Sequence, residues 1–243
     1  MIAAHKHNVS IGATWDNNEV NKSEQLLALA KLRQSKIYEG YTGIGDYWDG
    51  VYECDHVSPY TKTAGNVDAE VMFILKDWSS DEQLSGPVGE HGRDSIEFGY
   101  DPSVRTNKNL RALLKVHFGL SLQDTFGTNL FPFIKKGAMN ASIPMRDLTA
   151  AAVEFAIPQI EVVSPKVVIC LGKDVINAIR KGIGMDRVDY LTQAIDSPFS
   201  HGEVRIWAQS HPSQQGTNNR NRIGSVSDDW SRMSEEARIN LQI

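Results

Sequence analysis

The segment PKVVICLG, residues 165–172, constrains the fold more than any other part of the chain. Within it, residues 166–171 read KVVICL, and the apolar run is followed directly by Gly172. A short apolar run rich in β-branched residues predicts a strand that is buried on both faces. Such strands occur in parallel sheets that helices cover on both sides. We therefore predict an α/β fold, with a helix from about residue 173 to residue 181 after the glycine.

Segments of similar character lie on both sides of this strand. The other predicted strands are residues 71–75, 125–131 and 204–209. The remaining predicted helices are residues 23–34, 107–118, 147–163 (with a kink at Pro158) and a C-terminal segment that Ser227 caps. Residues 76–106 and 214–222 are predicted to be polar loops. Because strands alternate with helices, we expect a three-layer α/β/α architecture around a central, mostly parallel four-stranded sheet.

The composition is that of one large globular domain. The chain has 243 residues, 41% of them hydrophobic, and nothing approaches the roughly 18 apolar residues of a membrane span. We predict neither a secretory signal nor a disulfide framework, and so expect a cytoplasmic protein. Residues 1–65 are expected to form an N-terminal extension packed on the core of residues 66–243. No ligand cluster suggests a metal or cofactor, and His5 and His7 are predicted to lie in a mobile tail.

Polar side chains lie where the predicted strands end. Asp77 follows residues 71–75, Asn129 lies near the end of the second strand, and His211 follows residues 204–209. Each has a structural alternative, because Asp77 could cap a turn, Asn129 could bond loop backbone and His211 could be structural. Ligands of parallel sheets bind beyond the carboxyl ends of the strands. We therefore predict that the three side chains converge on one site.

The order and spacing of these segments resemble the uracil-DNA glycosylase superfamily. The stretches that carry the resemblance are LKDWS (75–79), TNKNLRALL (106–114), GTNLFPF (127–133), PKVVICLG (165–172) and SHPS (210–213). The resemblance implies that Asp77 activates water and that His211 stabilises the departing base. It also implies base binding by Asn129, Phe98, Trp78 and Ser79, and phosphate contacts by Ser213, Asn107, Lys108, Asn109, Arg220 and Arg222.

The chain departs from the family pattern around Asp77. Leu75 replaces a glycine, Trp78 replaces a proline, and Ser79 replaces the tyrosine that excludes the thymine methyl group in the best-known branch. The substitution at Ser79 argues against strict selectivity for uracil. The loop 214–222 also lacks the bulky apolar residue that often fills the space of an extruded base, which favours single-stranded or loosely paired substrates.

The sequence therefore predicts a monomeric DNA glycosylase that hydrolyses the N-glycosidic bond of uracil or a related deaminated base. Its partner is single-stranded or damaged duplex DNA with a flipped base, and it needs no cofactor or metal. One alternative is a non-catalytic relative that binds nucleobases or nucleic acid, which Trp78, Ser79 and the net charge of −5 favour. Another is an unrelated hydrolase with an Asp/His pair, although the chain lacks a Gly-x-Ser-x-Gly motif.

Overall fold

Strands from distant parts of the chain form the central sheet. The structure, a computed structural model, describes residues 21–241. The strands within that range are β1 (Tyr41–Thr42), β2 (Val71–Asp77), β3 (Phe126–Phe131), β4 (Ile134–Lys135), β5 (Val167–Leu171), β6 (Phe199–His201) and β7 (Val204–Gln209). Five of them form one sheet in the order β3-β2-β5-β7-β6, and β1 pairs with β4 separately. The four predicted strands are the parallel ones, whereas β6 is a short additional strand, antiparallel to β7.

Helices cover both faces of this sheet. They are α1 (Lys22–Ser35), α2 (Asp81–Leu84), α3 (Glu90–Phe98), α4 (Arg105–Phe118), α5 (Met145–Ala151), α6 (Ile157–Val163), α7 (Lys173–Gly182), α8 (Leu191–Asp196), α9 (Gln214–Asn221) and α10 (Val226–Leu241). Since successive strand residues point to opposite faces, Met72 and Ile74 pack with α5, α6 and α7. Phe73 and Leu75 pack on the other side, with α4 and α10. This arrangement confirms the predicted three-layer α/β/α class.

In place of the predicted kink at Pro158, the helix has a wider turn just before the proline. The chain continues from α5 through a π-helical turn at residues 152–156 into α6, where Pro158 lies in the first turn. A proline lacks the N–H that an α-helix would use, and its ring crowds the preceding turn. A π-turn directly upstream accommodates both constraints, so the helical axis passes the proline without a loop.

Two predicted loops are partly helical. Residues 76–106 contain α2 and α3, and residues 214–222 contain α9. The polar composition of α9 gives no apolar periodicity, but the Ser213 hydroxyl accepts a bond from Gly216 N at 3.1 Å and caps the helix. The predicted cap of the C-terminal helix is also corrected, because Ser225, not Ser227, accepts from Asp228 N at 3.2 Å.

The described part of the extension, residues 21–65, is anchored to the rest of the chain. Lys22 Nζ donates to the carbonyl of Val163 at 3.0 Å, and Tyr41 Oη donates to Asp147 Oδ2 at 2.9 Å. Within the extension, the buried Arg33 lies 2.5 Å from Glu53. Strand β1 pairs antiparallel with β4, which belongs to the main domain. The division at residue 65 stays a prediction, and residues 1–20, with His5 and His7, lie outside the described range. Among residues 21–241, no helix has the length and apolar character needed to cross a membrane.

Candidate active site at the ends of the parallel strands

Asp77 is the last residue of β2, and its carboxylate is held by a lysine. Its side chain is 6% exposed, and Lys135 Nζ donates to Oδ2 at 2.5 Å. The same ammonium group donates to the carbonyl of Met139 at 2.5 Å, so it has two fixed acceptors. With Oδ2 bound to Lys135, Oδ1 is the oxygen that remains for a substrate or a water molecule.

Lys135 was not among the site residues predicted from the sequence. This lysine is 2% exposed and lies on β4, opposite Tyr41 of the extension. One sequence feature could have indicated it. Lys135 directly follows the apolar run FPFI (131–134), and a lysine that continues a buried segment needs a partner for its charge. Its partner could not be read from the sequence because 58 positions separate it from Asp77.

Tight backbone packing brings His211 to the same edge of the sheet. Gly172, which follows β5 with φ of 109°, donates its N–H to the carbonyl of Gln209 at 2.8 Å. A Cβ at Gly172 would lie 3.8 Å from His211 Cβ, and one at Gly216 would lie 2.2 Å from the His211 carbonyl oxygen. Glycine at 216 is therefore required for α9 to begin directly against the histidine.

The bonding of His211 determines which ring nitrogen carries its proton. Ser213 N donates to His211 Nδ1 at 3.2 Å. Because a backbone N–H can only donate, Nδ1 is an acceptor, and the neutral ring carries its proton on Nε2. Burial lowers the pKa of His211 below its ordinary value, while Asp77 raises that pKa and Lys76 lowers it further. The ring is therefore a neutral Nε2–H donor at physiological pH, close enough to Asp77 to respond to its charge.

The amide of Asn129 is oriented by a residue of the extension. Asn129 lies on β3 opposite Leu75 and is 1% exposed. Its Oδ1 accepts a bond from Ser58 Oγ at 2.6 Å, and Ser58 Oγ in turn accepts from Tyr60 N at 3.2 Å. Ser58 thus directs Oδ1 towards the extension and leaves Nδ2 as the donor of the amide. Sequence reasoning did not find Ser58, because no local pattern links it to Asn129.

One family model matches most of the chain. A model of the uracil DNA glycosylase superfamily matches residues 65–233. The chain belongs to this superfamily. No curated protein matches the chain significantly. Family membership confirms the predicted resemblance and excludes the alternative of an unrelated hydrolase. Within this superfamily member, Asp77, Asn129, Lys135 and His211 all lie in the matched region, whereas Ser58 precedes it.

The other predicted base-binding residues differ in what their side chains already contact. Trp78 Nε1 donates to the carbonyl of Gly99 at 2.8 Å, and Ser79 Oγ donates to Gln83 Oε1 at 3.2 Å. Their polar atoms are therefore occupied, and the indole of Trp78 offers an apolar surface. Phe98, at the end of α3, is 37% exposed and has a ring that remains accessible for stacking. All three stay predictions.

Part of the predicted phosphate-binding set lies together. Asn109 of α4 donates to the carbonyl of Pro212 at 2.8 Å, which places the helix beside Ser213. Lys108 is exposed on the same helix. Asn107 is 8% exposed, accepts from Tyr60 Oη at 3.1 Å and donates to the carbonyl of Asp101, so its amide supports the loop before α4.

The two predicted arginines behave differently from each other. Arg220 forms a bidentate ion pair with the buried Asp229, at 2.6 and 2.9 Å, and joins α9 to α10. Arg222 is exposed. The next residue, Ile223, is 72% exposed, so an apolar side chain does lie just beyond the segment that was predicted to lack one. Within residues 21–241, no group of three or more His, Cys, Asp or Glu side chains is arranged to hold a metal ion.

We expect an NMR titration of histidine-labelled protein to give His211 a pKa below the ordinary value of about 6.5, with the proton on Nε2. The variant Asp77→Asn should lower this pKa further, because it removes the charge that stabilises the imidazolium. Lys76→Gln should raise it, because it removes a repelling charge. A proton on Nδ1, a pKa that rises in Asp77→Asn, or a pKa that falls in Lys76→Gln would contradict this electrostatic description.

We expect Lys135→Met to destabilise the protein by about 3–5 kcal/mol at neutral pH, because it leaves the Asp77 carboxylate buried without a partner. Urea unfolding measures the change. The adjacent Lys136 is exposed, so Lys136→Met is the matched control and should change stability little. The double variant Asp77→Asn/Lys135→Met should lose less stability than Lys135→Met alone. Equal stability of the two lysine variants would show that the ion pair is not a buried, coupled interaction.

Proposed function

We propose that the protein is a DNA glycosylase that hydrolyses the N-glycosidic bond of uracil or a related deaminated base in DNA. The observation that carries this proposal is that a fixed carboxylate, Asp77, and a neutral Nε2–H donor, His211, lie at the same edge of the sheet, where the charge of Asp77 raises the pKa of His211. Hydrolysis of this bond needs both groups, since positive charge develops on the sugar and negative charge on the departing base. Superfamily membership supports the same chemistry.

The first step is recognition of a base outside the stack. A flipped base costs a few kcal/mol, which stacking and hydrogen bonds in the pocket offset. With Asn129 Oδ1 bonded to Ser58, Nδ2 can donate to a keto oxygen such as O4 of uracil. Cytosine presents an amino group at this position, and two donors would then face each other. The fixed amide therefore favours deaminated bases.

Cleavage then separates charge between the sugar and the departing base, and each catalytic residue stabilises one of them. His211 donates from Nε2 to O2 of uracil as the C1′–N1 electron pair passes to the base, which is stabilisation of an oxyanion type. Asp77 Oδ1 accepts a hydrogen bond from the attacking water and faces the positive sugar. The water oxygen bonds to C1′, and the proton that it loses balances the one that the released base takes up. Because His211 is neutral, activity should persist as the pH falls through 6.5.

Base selectivity is expected to extend beyond uracil. Ser79 is small and its hydroxyl is bonded to Gln83, so nothing of the size of tyrosine occupies that position. Trp78 is fixed by its bond to the Gly99 carbonyl and offers an indole surface beside Asp77. This combination suits other bases with a keto oxygen opposite Asn129, including hypoxanthine and xanthine.

One observation favours the alternative of binding without catalysis. The Lys135 ammonium lies against Asp77 and offsets the negative charge that would stabilise the sugar cation. A chain that retained the base pocket but lost this charge would bind a deaminated base and release no product. The experiment below separates the two functions.

We expect the protein to release uracil from single- and double-stranded oligonucleotides and to leave alkali-sensitive abasic sites. His211→Ala should lower kcat by about 10²–10³-fold, the usual cost of one oxyanion donor. Asp77→Asn should lower kcat by about 10²–10⁴-fold through loss of water activation. Lys181→Gln is the control, because it removes an exposed charge on α7 that does not affect the pKa of His211. Tight binding of uracil-, hypoxanthine- and xanthine-containing DNA without abasic sites would establish the alternative.

We expect Ser58→Ala to lower uracil release by up to about tenfold, the value of one hydrogen bond, while cytosine release does not fall. The ratio of the two rates therefore decreases, because the unanchored amide can turn either polar atom towards the base. Ser58→Thr, which keeps the hydroxyl, should preserve the ratio. Ser234→Ala, another buried serine whose hydroxyl bonds the carbonyl of Ser231, controls for general destabilisation. An unchanged ratio would remove Ser58 from the selectivity mechanism.

A further inference from the structure

A groove of about 480 Å³ runs along the outer side of α4. Cationic side chains, from Lys108, Arg111 and Lys115, line one side of it. The remainder contains apolar residues such as Leu120, the ring of Tyr100, and the polar residues Ser121 and Gln123. The groove therefore combines positive charge with apolar surface, the combination that proteins use to bind single nucleic-acid strands.

The three cations share one face of the helix and are not neutralised locally. Their spacing of i, i+3 and i+7 places them side by side, and all three are exposed. Among the described residues, none of the three lies within ion-pair distance of a carboxylate; Lys115 donates instead to the Gly119 carbonyl. Asp124 is near Lys115, but its carboxylate is bonded to the backbone and hydroxyl of Ser121. Asp124 offsets part of the charge of Lys115, and the groove keeps an excess of positive charge from its three cations.

The charge distribution of α4 is unfavourable for the helix alone. Its residues RTNKNLRALLKVHF include cations from Arg105 onward and no acidic residue, and Val104 provides no side-chain cap. The amino end of a helix is already positive, so cations in its first turns are destabilising, and like charges three or four positions apart repel. A local rule broken in this way in a chain of net charge −5 indicates a functional surface for an anion.

Hydrogen bonds connect the elements that line the groove to the segments at the strand ends. Asn109 of α4 donates to the Pro212 carbonyl, one residue beyond His211. On the other side, Trp78 follows Asp77 and donates to the carbonyl of Gly99, the residue before Tyr100. Both sides of the groove are therefore fixed to segments that also position the catalytic pair.

We propose that this groove binds the phosphodiester backbone of the DNA strand that carries the target base, next to the pocket for the base itself. The proposal rests on the function proposed above and extends it. Arg111 and Lys115 neutralise phosphates beyond those that the helix start contacts, and the apolar side packs against sugars and bases. The positive surface for DNA thus lies mainly on α4, whereas Arg220 of α9 is already paired with Asp229.

The test compares two variants with equal loss of charge. Arg111→Gln/Lys115→Gln removes two cations from the groove, and Lys181→Gln/Arg187→Gln removes two exposed cations elsewhere. Both are made with Asp77→Asn so that a single-stranded, uracil-containing 15-mer stays intact, and its affinity is measured from 50 to 300 mM salt. The plot of log association constant against log salt has a negative slope, whose magnitude should decrease by about 1.4 in the groove variant, or about 0.7 per lost phosphate contact. The affinity should decrease about tenfold. The control should match the parent. Equal slopes in the two variants would overturn the proposal.

A length series in the active enzyme distinguishes this proposal from the proposed function. The groove variant should cleave a uracil trinucleotide like the parent, but show a raised KM and an unchanged kcat on the 15-mer. Cleavage of both substrates with parental KM would overturn the groove. If the parent releases no uracil at all, the glycosylase proposal fails, and the salt slopes still decide whether the groove binds DNA. Circular dichroism melting confirms that the exposed substitutions leave the fold intact.

Discussion

The parallel alignment of β2, β3, β5 and β7 is the constraint on which the rest of the molecule depends. Parallel strands bring all their carboxyl ends to one edge, and they need helices on both faces because neither face can meet water. The buried strands therefore settle where the helices lie and where polar residues can emerge. Asp77 at the end of β2 and His211 just after β7 therefore lie at the same edge of the sheet, on strands that flank β5.

At the same edge, the buried carboxylate of Asp77 is paired with Lys135, which affects stability and catalysis in opposite directions. Lys135 fixes the direction of the Asp77 carboxylate and compensates for its removal from water. It also offsets part of the charge that a glycosylase would use to stabilise a sugar cation. This balance, together with the neutral Nε2–H of His211, makes Asp77 the residue on which a catalytic and a purely binding function diverge.

The extension contributes to the site as well as to the core. Ser58 orients the Asn129 amide, and β1 pairs with the strand that bears Lys135. The family match begins at residue 65, so these contributions come from outside the region that defines the superfamily. Residues outside the region that defines the superfamily thus contact residues inside it at the strand ends.

The sequence by itself determined the parallel strands, the order of the layers, the superfamily and the candidates Asp77, Asn129 and His211. Those features are encoded locally, in apolar runs and short motifs such as SHPS (210–213). Only the tertiary structure decided that Lys135 binds Asp77, that Ser58 binds Asn129 and that Arg220 forms an ion pair with Asp229. In the sequence, Lys135 is 58 positions from Asp77, and Ser58 is 71 positions from Asn129. Arg220 and Asp229 are close in sequence, but Arg220 lies on α9, a helix without apolar periodicity. No local pattern could therefore specify any of these three pairs.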